Sequence, residues 1–444
     1  MRKFWLDCVF ATAFVFLTMW GIFGLTQLKI FNAFDSIGTA LSDVELTDYV
    51  FSGLRKDPDV EENIVVVNIG RLNRRQIAEQ LQIISKHKPK VIGIDGFFDC
   101  ATGLRDTINC RQLVDTLGNL MLANAIKEAG NVILVSKALQ SKALQRDTTA
   151  EEITFDSLRR SDAMYLSEAV GDGFASLETD ANYQDDAKTC RTFNPKLEFK
   201  DKTHYAFSVE MARLYDSAKA QKFLQRGNYS EVINYRGNVY DIFGTTNYPN
   251  MFFTLDVDQV MTEDFVSDLI KDKIVIMGFL GEQLGDPSWN DKFYTPLNKK
   301  LAGKANPDMF GVVVHANIVS MILREDYVDQ MANWQEAVMA AILCLLNVAL
   351  FSLVNTNLPL WYDGITKLVQ LIQLLLYTVL MVLIFDWFTF KLNITLTLAA
   401  VALVGDVYEI YLTVIKNLFF KVKRWFSFTR KDENVLIPET PEKP

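Results

Sequence analysis

Residues 64–99 read IVVVNIGRLNRRQIAEQLQIISKHKPKVIGIDGFFD, and this stretch decides the fold class. Its two apolar runs, residues 64–69 and 91–98, are short and rich in β-branched residues, which is typical of buried strands. Between them, apolar residues recur at helical spacing over residues 73–86. Apolar strands joined by an amphipathic helix predict an α/β fold with a largely parallel sheet.

The same alternation continues toward the carboxyl end of the chain. Helical patterns and strand-like runs follow one another at residues 113–129, 132–136, 204–216, 232–235 and 273–278. Residues 309–323 (MFGVVVHANIVSMIL) predict a strand running into a helix, with the boundary left open. The polar residues 140–162 are interpreted as a loop or an insertion.

Four apolar segments flank this α/β body. Residues 8–25 (CVFATAFVFLTMWGIFGL) contain no charged residue and are long enough to cross a bilayer. A cleaved signal peptide is the alternative for this segment, but the run is bulky and no small-x-small site follows promptly. For the three later segments the alternative is buried core helices. The predicted organisation is a cytoplasmic segment 1–7, a span 8–25, an extracytoplasmic domain 26–333, spans 334–356, 367–386 and 392–415, and a cytoplasmic tail 416–444.

Charge distribution predicts the orientation and excludes some partners. Arg2 and Lys3 precede the first span and a basic cluster follows the last, so both ends are expected in the cytoplasm. The net charge of −9 argues against nucleic acid as a partner. The segment 416–426 (KNLFFKVKRWF) either lies on membrane lipids as an interfacial helix or is an ordinary stop-transfer flank.

Several blocks of the sequence resemble the CHASE2 domain family. They are residues 64–99, 271–286 (KDKIVIMGFLGEQLGD), 294–297 (YTPL) and 310–323 (FGVVVHANIVSMIL). The residues that match the family's pattern are Asp95, Gly278, Asp286, Thr295, Pro296, Gly311, His315, Ala316 and Asn317. CHASE2 domains are typically bounded by one span before and three after, as predicted here. The resemblance implies a periplasmic sensory domain of a bacterial inner-membrane signalling protein.

Members of that family commonly carry a kinase or cyclase output after the spans. Residues 416–444 contain no Gly-rich phosphate loop, no kinase Asp-Phe-Gly and no cyclase-like segment. We therefore expect a non-catalytic chain that signals through partners, which would be other membrane or periplasmic subunits or further copies of itself. A structural subunit of an envelope complex is the alternative, and an extracytoplasmic enzyme is a weaker one because no hydrolase or zincin motif is present.

The candidate ligand-binding residues lie at strand ends and at a helix entry. They are Asp95, Asp99, Gly278, Gly281, Asp286, His315 and Asn317. Asp95 and Asp286 would face one another if their strands are neighbours. The glycine loop at 278–286 either cradles an anion or forms a tight turn, and the acids either bind a ligand or cap helices. His315 either senses pH or is a buried, hydrogen-bonded histidine.

Five cysteines and three histidines leave little scope for a metal site. Cys100 and Cys110 lie in one non-helical stretch of the extracytoplasmic part, where disulfides form, and we predict that they pair. Cys190 would then be unpaired. No His/Cys cluster with ligand spacing is present, so no metal and no cofactor is predicted.

Polar residues inside the predicted spans form a separate group. Asp406 and Glu409 are three residues apart and share one helix face. Asn347, Gln370 and Gln373 lie in the neighbouring spans. Because intramembrane acids usually face a partner or a cavity, these five residues predict contacts with another subunit or within the bundle, or, for the two acids, a proton-linked site. The alternative is that the two acids reach the lipid headgroups.

Overall fold

The computed structural model describes residues 2–26, 45–100, 114–139, 155–177, 189–239, 249–298 and 306–418. The chain divides into two compact units. One is the α/β unit Ala40–Asp329, and the other, Met1–Thr39 with Gln330–Pro444, holds the long apolar helices.

The strands of the described residues are short, and half of them form one sheet. In chain order they are β1 Glu61–Asn68, β2 Val91–Ile94, β3 Val132–Leu139, β4 Ser157–Arg160, β5 Gly171–Phe174, β6 Thr192–Phe193, β7 Lys196–Phe199, β8 Lys202–Tyr205, β9 Glu231–Val232, β10 Asn238–Val239, β11 Asn250–Leu255, β12 Ile274–Gly278, β13 Lys292–Phe293, β14 Met309–Phe310, β15 Asp329–Gln330 and β16 Phe390–Lys391.

The α-helices of the described residues differ widely in length. In chain order they are α1 Arg2–Thr26, α2 Leu46–Tyr49, α3 Arg74–Lys86, α4 Thr116–Ala129, α5 Ala163–Leu166, α6 Phe207–Tyr215, α7 Ser217–Leu224, α8 Val257–Met261, α9 Gly311–Arg324, α10 Asn333–Asn357, α11 Tyr362–Phe388 and α12 Thr395–Ile410. Short π and 3₁₀ turns lie at Val50–Leu54, Ser267–Leu269, Pro359–Trp361 and Tyr411–Ile415.

The main sheet is parallel apart from one strand. Within the described residues its order is β10-β11-β1-β12-β2-β3, with β4 and β5 both beside β3. Only β4 runs antiparallel to its neighbour. The late strand β12 lies between two early ones, since Val275 pairs with both Val65 and Ile92. The mixed α/β, parallel-rich fold predicted from the apolar strand runs is therefore present.

Helices cover both faces of the sheet for reasons visible in the sequence. Asn73 caps α3 by accepting hydrogen bonds from the backbone N–H groups of Arg75 and Gln76. On this face, α3 and α4 bury their apolar residues against β1, β2 and β3. On the other face α6 and α9 lie over the sheet, and Gly93 leaves room for Phe207 and Met211 of α6.

The helix α9 is the most buried helix of the α/β unit. It follows directly after β14, as the predicted strand running into a helix required, and every residue from Gly311 to Leu323 is buried. Its apolar composition therefore reflects a core position.

Several predicted boundaries are corrected by the structure. The strand β2 ends at Ile94, short of the predicted 98, and the residues beyond it leave the ladder. The helix predicted from residue 204 begins at Phe207, because residues 202–205 form a hairpin with residues 196–199.

The second unit contains four helices that are long and apolar enough to cross a membrane. They are Arg2–Phe23, Asn333–Asn357, Pro359–Phe388 and Thr395–Leu418. The third begins before the predicted residue 367, through a 3₁₀ turn at Pro359. The fourth begins at Thr395 instead of 392, because Phe390 and Lys391 are extended. Small residues of the first helix, such as Cys8 and Ala11, pack among residues of the second and fourth.

Candidate functional site

A cleft lies at the carboxyl edge of the parallel sheet. The segments that follow β1 and β2, together with the middle of β3, enclose about 500 Å³. Crevices at this edge are where open α/β sheets usually bind ligands, because loops and helix starts converge there. The cleft is lined by apolar, aromatic and basic residues and by the acid Asp99.

The basic wall is built around Arg74, the first residue of α3. Arg74 is only 7% exposed, and its Nη1 donates a hydrogen bond to Asn119 Oδ1 at 2.6 Å. Its guanidinium carbon lies 5.6 Å from the centroid of the Tyr165 ring, and the Tyr165 hydroxyl donates to the same Asn119 oxygen at 3.0 Å. Among the residues that the structure describes, no carboxylate forms an ion pair with Arg74. Its direct partners are thus neutral, although the charge of Asp115, which is bonded to Arg75, also acts on it.

Asp99 lies at the rim of the cleft and is already paired. Arg159 donates to it twice, from Nε at 2.5 Å and from Nη2 at 2.9 Å. The hydrogen bond that Arg159 donates to Asp99 raises the pKa of Arg159. Asp99 was predicted to bind a ligand, but its carboxylate is occupied by this two-pronged bond.

Lys137, on β3, completes the basic wall. It is exposed and forms no ion pair within the described part of the chain. The cleft therefore presents three cations, Arg74, Lys137 and Arg159, against the single carboxylate of Asp99.

Asp95 lies on the other face of the sheet, beside the start of α9. Its backbone N–H donates to Met277 O at 2.7 Å, which places it next to Gly278. Burial raises the pKa of the Asp95 carboxyl to about 7, and the charge of Asp291 adds to this. Burial likewise raises the pKa of Asp291 to about 6. As whole residues, Asp95 is partly exposed and Asp291 is exposed. The burial that raises the two pKa values is therefore that of the carboxyl groups.

The sequence suggested Asp286 as the neighbour of Asp95, but the carboxylate that acts on Asp95 is that of Asp291. Asp286 lies in a separate turn. Asp286 accepts hydrogen bonds from the backbone N–H groups of Glu282 at 2.9 Å and Ser288 at 2.8 Å. These two bonds lower the pKa of Asp286. Gly281 has φ +95°, and a Cβ there would lie 2.2 Å from Asp286 Cβ. This geometry matches the tight turn, the second of the two interpretations of the glycine loop.

A buried amide at the end of β1, absent from the sequence prediction, holds this edge together. Asn68 Nδ2 donates to Asp256 Oδ1 at 2.8 Å, and Asn68 Oδ1 accepts from Leu280 N at 2.9 Å. Asp256 Oδ2 also accepts from Leu284 N at 3.1 Å. Asn68 interrupts an otherwise apolar strand, and that interruption is the signal that could have identified it.

His315 and Asn317 lie inside α9 and do not line the cleft. The His315 ring meets the edge of Phe207 at 5.4 Å, and burial lowers its pKa to about 4. Asn317 Oδ1 accepts from Arg236 N at 3.0 Å, and its Nδ2 donates to Gly237 O at 2.9 Å. His315 is therefore uncharged near neutral pH, and Asn317 holds the segment before β10 through these hydrogen bonds.

The Thr295-Pro296 block of the sequence is anchored by Asp308, another residue that the sequence reasoning missed. Asp308 Oδ1 accepts from Thr295 N at 2.9 Å and its Oδ2 from Thr295 Oγ1 at 2.5 Å. Burial raises the pKa of Asp308 to about 7, although these hydrogen bonds act in the opposite direction. The block thus closes a loop onto the residue just before β14.

The cysteines are mostly buried. Cys100 takes part in a disulfide, whereas its predicted partner Cys110 lies outside the described residues, so the pairing stays a prediction. Cys8, Cys190 and Cys344 are buried. Among the described residues, no group of three or more His, Cys, Asp or Glu side chains is placed to hold a metal ion.

Two polar residues of the third apolar helix tie it to the fourth. Gln370 Nε2 donates to Val401 O at 2.8 Å and to Ala402 O at 2.9 Å. Gly405 makes this approach possible, since a Cβ there would lie 2.8 Å from Gln370 Oε1. The Tyr362 hydroxyl donates to Gly405 O at 3.2 Å. Gln370 therefore contacts the bundle interior, one of the two expected roles.

The remaining polar residues of these helices behave differently from one another. Asn347 Nδ2 donates within its own helix to Leu343 O at 3.0 Å, and the buried Gln373 Oε1 has no hydrogen-bond partner among the described residues. Asp406 forms an ion pair with Lys367. Glu409 is exposed and forms no ion pair in the described part of this unit.

Asp7, which sequence reasoning left aside, links the first and fourth apolar helices. It accepts hydrogen bonds from the Tyr411 hydroxyl at 3.0 Å and from Lys416 Nζ at 2.6 Å.

Comparison with known protein families places the chain. The model of the CHASE2 domain matches residues 14–354, from within α1 to within α10. No curated protein and no solved structure matches the chain. CHASE2 is an extracytoplasmic sensor domain, which is consistent with a sensory role. Since the match covers most of the sequence, the chain belongs to the CHASE2 domain family.

Proposed function

We propose that this chain is a non-catalytic sensor subunit of a bacterial inner membrane. Both termini lie in the cytoplasm, the α/β unit lies in the periplasm, and output passes through partner proteins. The observation that carries the proposal is the cleft at the carboxyl edge of the sheet in a chain whose family is sensory.

A physical connection runs from the cleft to the residues that precede the second apolar helix. The chain lines the cleft at Ile69, just beyond the carboxyl end of β1. At the other end of β1, Glu61 Oε2 accepts hydrogen bonds from Ser320 Oγ and from Arg324 Nε, both at 2.7 Å. Arg324 is the last residue of α9, and α10 begins at Asn333. A ligand that displaces β1 would thereby act on the segment leading into the membrane.

The test fills the cleft and measures distances in the bundle. Spin labels at Leu6→Cys and Leu418→Cys, both exposed positions, report the separation of the first and fourth helices in proteoliposomes. The background carries Cys8→Ala, Cys190→Ala and Cys344→Ala, which removes the thiols of the three buried cysteines. Lys137→Trp places a large side chain in the cleft, and we expect it to shift the electron–electron distance distribution.

Lys271→Trp is the matched control for this experiment. Lys271 is exposed and precedes β12, at the amino edge of the sheet, away from the cleft. It is expected to leave the distribution unchanged. An unchanged distribution with Lys137→Trp as well would contradict coupling between the cleft and the spans.

That result would favour a second function, a structural subunit of an envelope complex. Glu409 supports it, because an exposed acid within an apolar helix is costly in lipid unless another chain contacts it.

A further inference from the structure

We infer that the cleft binds an organic anion with a flat apolar body, and that Arg74 is the buried anchor for its charge. This inference rests on the proposed function for the site and adds the chemical class of the ligand.

The placement of Arg74 is the first argument. Arg74 as a residue is only 7% exposed, and burial of a charge is costly unless an opposite charge compensates. Asn119 and Tyr165 supply one hydrogen bond and one ring face, both neutral. Arginine presents five N–H donors in a planar fork that matches carboxylate, sulfonate or phosphate oxygens. Asp115 acts on Arg74 electrostatically but is bonded to Arg75, so an anion at the cleft would supply the ion-pair partner that Arg74 lacks among the described residues.

The rest of the basic wall points the same way. Lys137 has no ion-pair partner in the part of the chain that the structure describes, and it lies on the strand beside the cleft. Asp99 would be the natural partner of a cationic ligand, but both its oxygens accept from Arg159. The unpaired charges that face the cleft are therefore positive.

The apolar part of the lining determines the body of the ligand. Ile69, Leu72 and Ile77 line it together with the aromatic rings of Phe97 and Phe98. Phe97 is 41% exposed, and an exposed ring beside apolar side chains stabilises a complex by burial of its surface. A volume near 500 Å³ lies in the range of sites for small organic ligands and exceeds that needed for an inorganic anion.

The test uses the full chain in an uncharged detergent and naphthalene-2-sulfonate as the probe. Naphthalene-2-sulfonamide, a neutral analogue of nearly the same shape, is the matched probe, and isothermal titration is corrected with protein-free micelles. We expect the sulfonate to bind at least about tenfold more tightly, as one charged hydrogen-bonded contact provides. Inorganic sulfate is expected to compete only weakly.

Variants of the cleft residues then test which side chains bind the negative charge of the sulfonate. Arg74→Gln should weaken sulfonate binding about tenfold and leave sulfonamide binding unchanged. Arg74→Lys keeps the charge without the planar fork and should be intermediate. Lys137→Gln changes an exposed residue, so the fold is retained, and should weaken sulfonate binding about threefold. The control Lys271→Gln removes the same charge away from the cleft and should have no effect.

Each contrary result has a distinct meaning. Equal affinity for sulfonate and sulfonamide would overturn the inferred charge, and sulfate competing as strongly as the sulfonate would overturn the apolar wall. If Lys137→Gln and Lys271→Gln weaken sulfonate binding equally, the effect is one of overall charge, and this result would also overturn the inference. If Arg74→Gln does not fold, Lys137→Gln and the two probes decide. The sensor function itself fails only in the spin-label experiment, so the two failures are distinguishable.

Discussion

At the scale of single residues, carboxyl groups near the sheet edge differ in charge state because their surroundings differ. Asp286 accepts two backbone hydrogen bonds, which lower its pKa. Asp95 has a crowded carboxyl with Asp291 as a neighbour, and its pKa is raised to about 7. The pKa values of these two acids are therefore shifted in opposite directions from that of a free carboxyl group.

Asp95 should make the unfolding temperature depend on pH. The unfolded carboxyl titrates near 3.8 and the folded one near 7, so the folded state binds the proton more tightly. The contribution of Asp95 to the free energy of unfolding is full below pH 3.8 and is lost as the pH rises to about 7. Asp95→Asn should remove this loss and stabilise the protein at pH 8 by about 1–2 kcal/mol, a value reduced from the full shift because part of the residue is hydrated.

The measurement is thermal unfolding of the full chain in detergent between pH 5 and pH 8. Asp268→Asn changes an exposed acid of the same unit and should follow the wild type at every pH. Parallel curves for Asp95→Asn and the wild type would show that the crowding of the Asp95 carboxyl has no energetic consequence.

Which residues could be predicted depended on their sequence neighbourhood. Asp95 follows an apolar strand, a position where a single acid is conspicuous, so it was identified. Arg74 begins an amphipathic helix among polar residues, a pattern that indicates a solvated surface. Its burial depends on Asn119 and Tyr165, which are distant in sequence. Asp308 was likewise missed, because its partner Thr295 lies across a loop.

At the scale of elements, the sheet and its covering helices approach closely where glycine occurs. A Cβ at Gly278 would lie 2.6 Å from Val312 Cγ2 and 2.7 Å from Val312 Cβ. Val312 is buried in α9 and β-branched, so it has few alternative rotamers. The spacing between β12 and α9 thus depends on the absence of one methyl group.

Gly278→Ala should destabilise the protein by about 1–3 kcal/mol, because overpacking forces the strand and helix apart. Chemical denaturation of the full chain measures the change. Gly171→Ala is the control, since a Cβ there meets no atom within 4 Å and the backbone is not left-handed. Val312→Ala added to Gly278→Ala should recover part of the loss. If both alanine variants unfold alike, the close approach has no energetic role.

Element types were easier to predict than element ends. Runs of β-branched residues identified β1, β2 and β12, because burial on both faces leaves no alternation to obscure them. The hairpin β7–β8 was missed, since its charged residues resemble a loop. The order of strands was out of reach, because side-chain patterns do not specify which buried strand is whose neighbour.

At the scale of the whole molecule, the sensor proposal requires the α/β unit and the chain termini on opposite sides of the membrane. Basic residues next to the first and last apolar helices favour cytoplasmic termini. If each of the four described apolar helices crosses the membrane, the chain returns to the side on which it began.

This orientation predicts the outcome of thiol labelling. A membrane-impermeant maleimide added to intact spheroplasts should label Lys271→Cys, which is exposed in the α/β unit, and should not label Asn417→Cys, which is exposed at the end of the last apolar helix. Permeabilised cells should label both positions, which controls for reactivity. Labelling of Asn417→Cys alone in intact spheroplasts would reverse the topology and remove the sensor proposal.

The insertion of β12 between β1 and β2 has a consequence for biogenesis. The two early strands leave the ribosome long before residue 274 is synthesised, and each needs that residue's segment as a hydrogen-bonding neighbour. Until then a nascent chain exposes unpaired apolar strand edges, the kind of surface on which aggregation begins. The sheet can therefore be completed only after residue 278 has been synthesised, and a chain truncated before residue 274 is expected to leave β1 and β2 each without one neighbour.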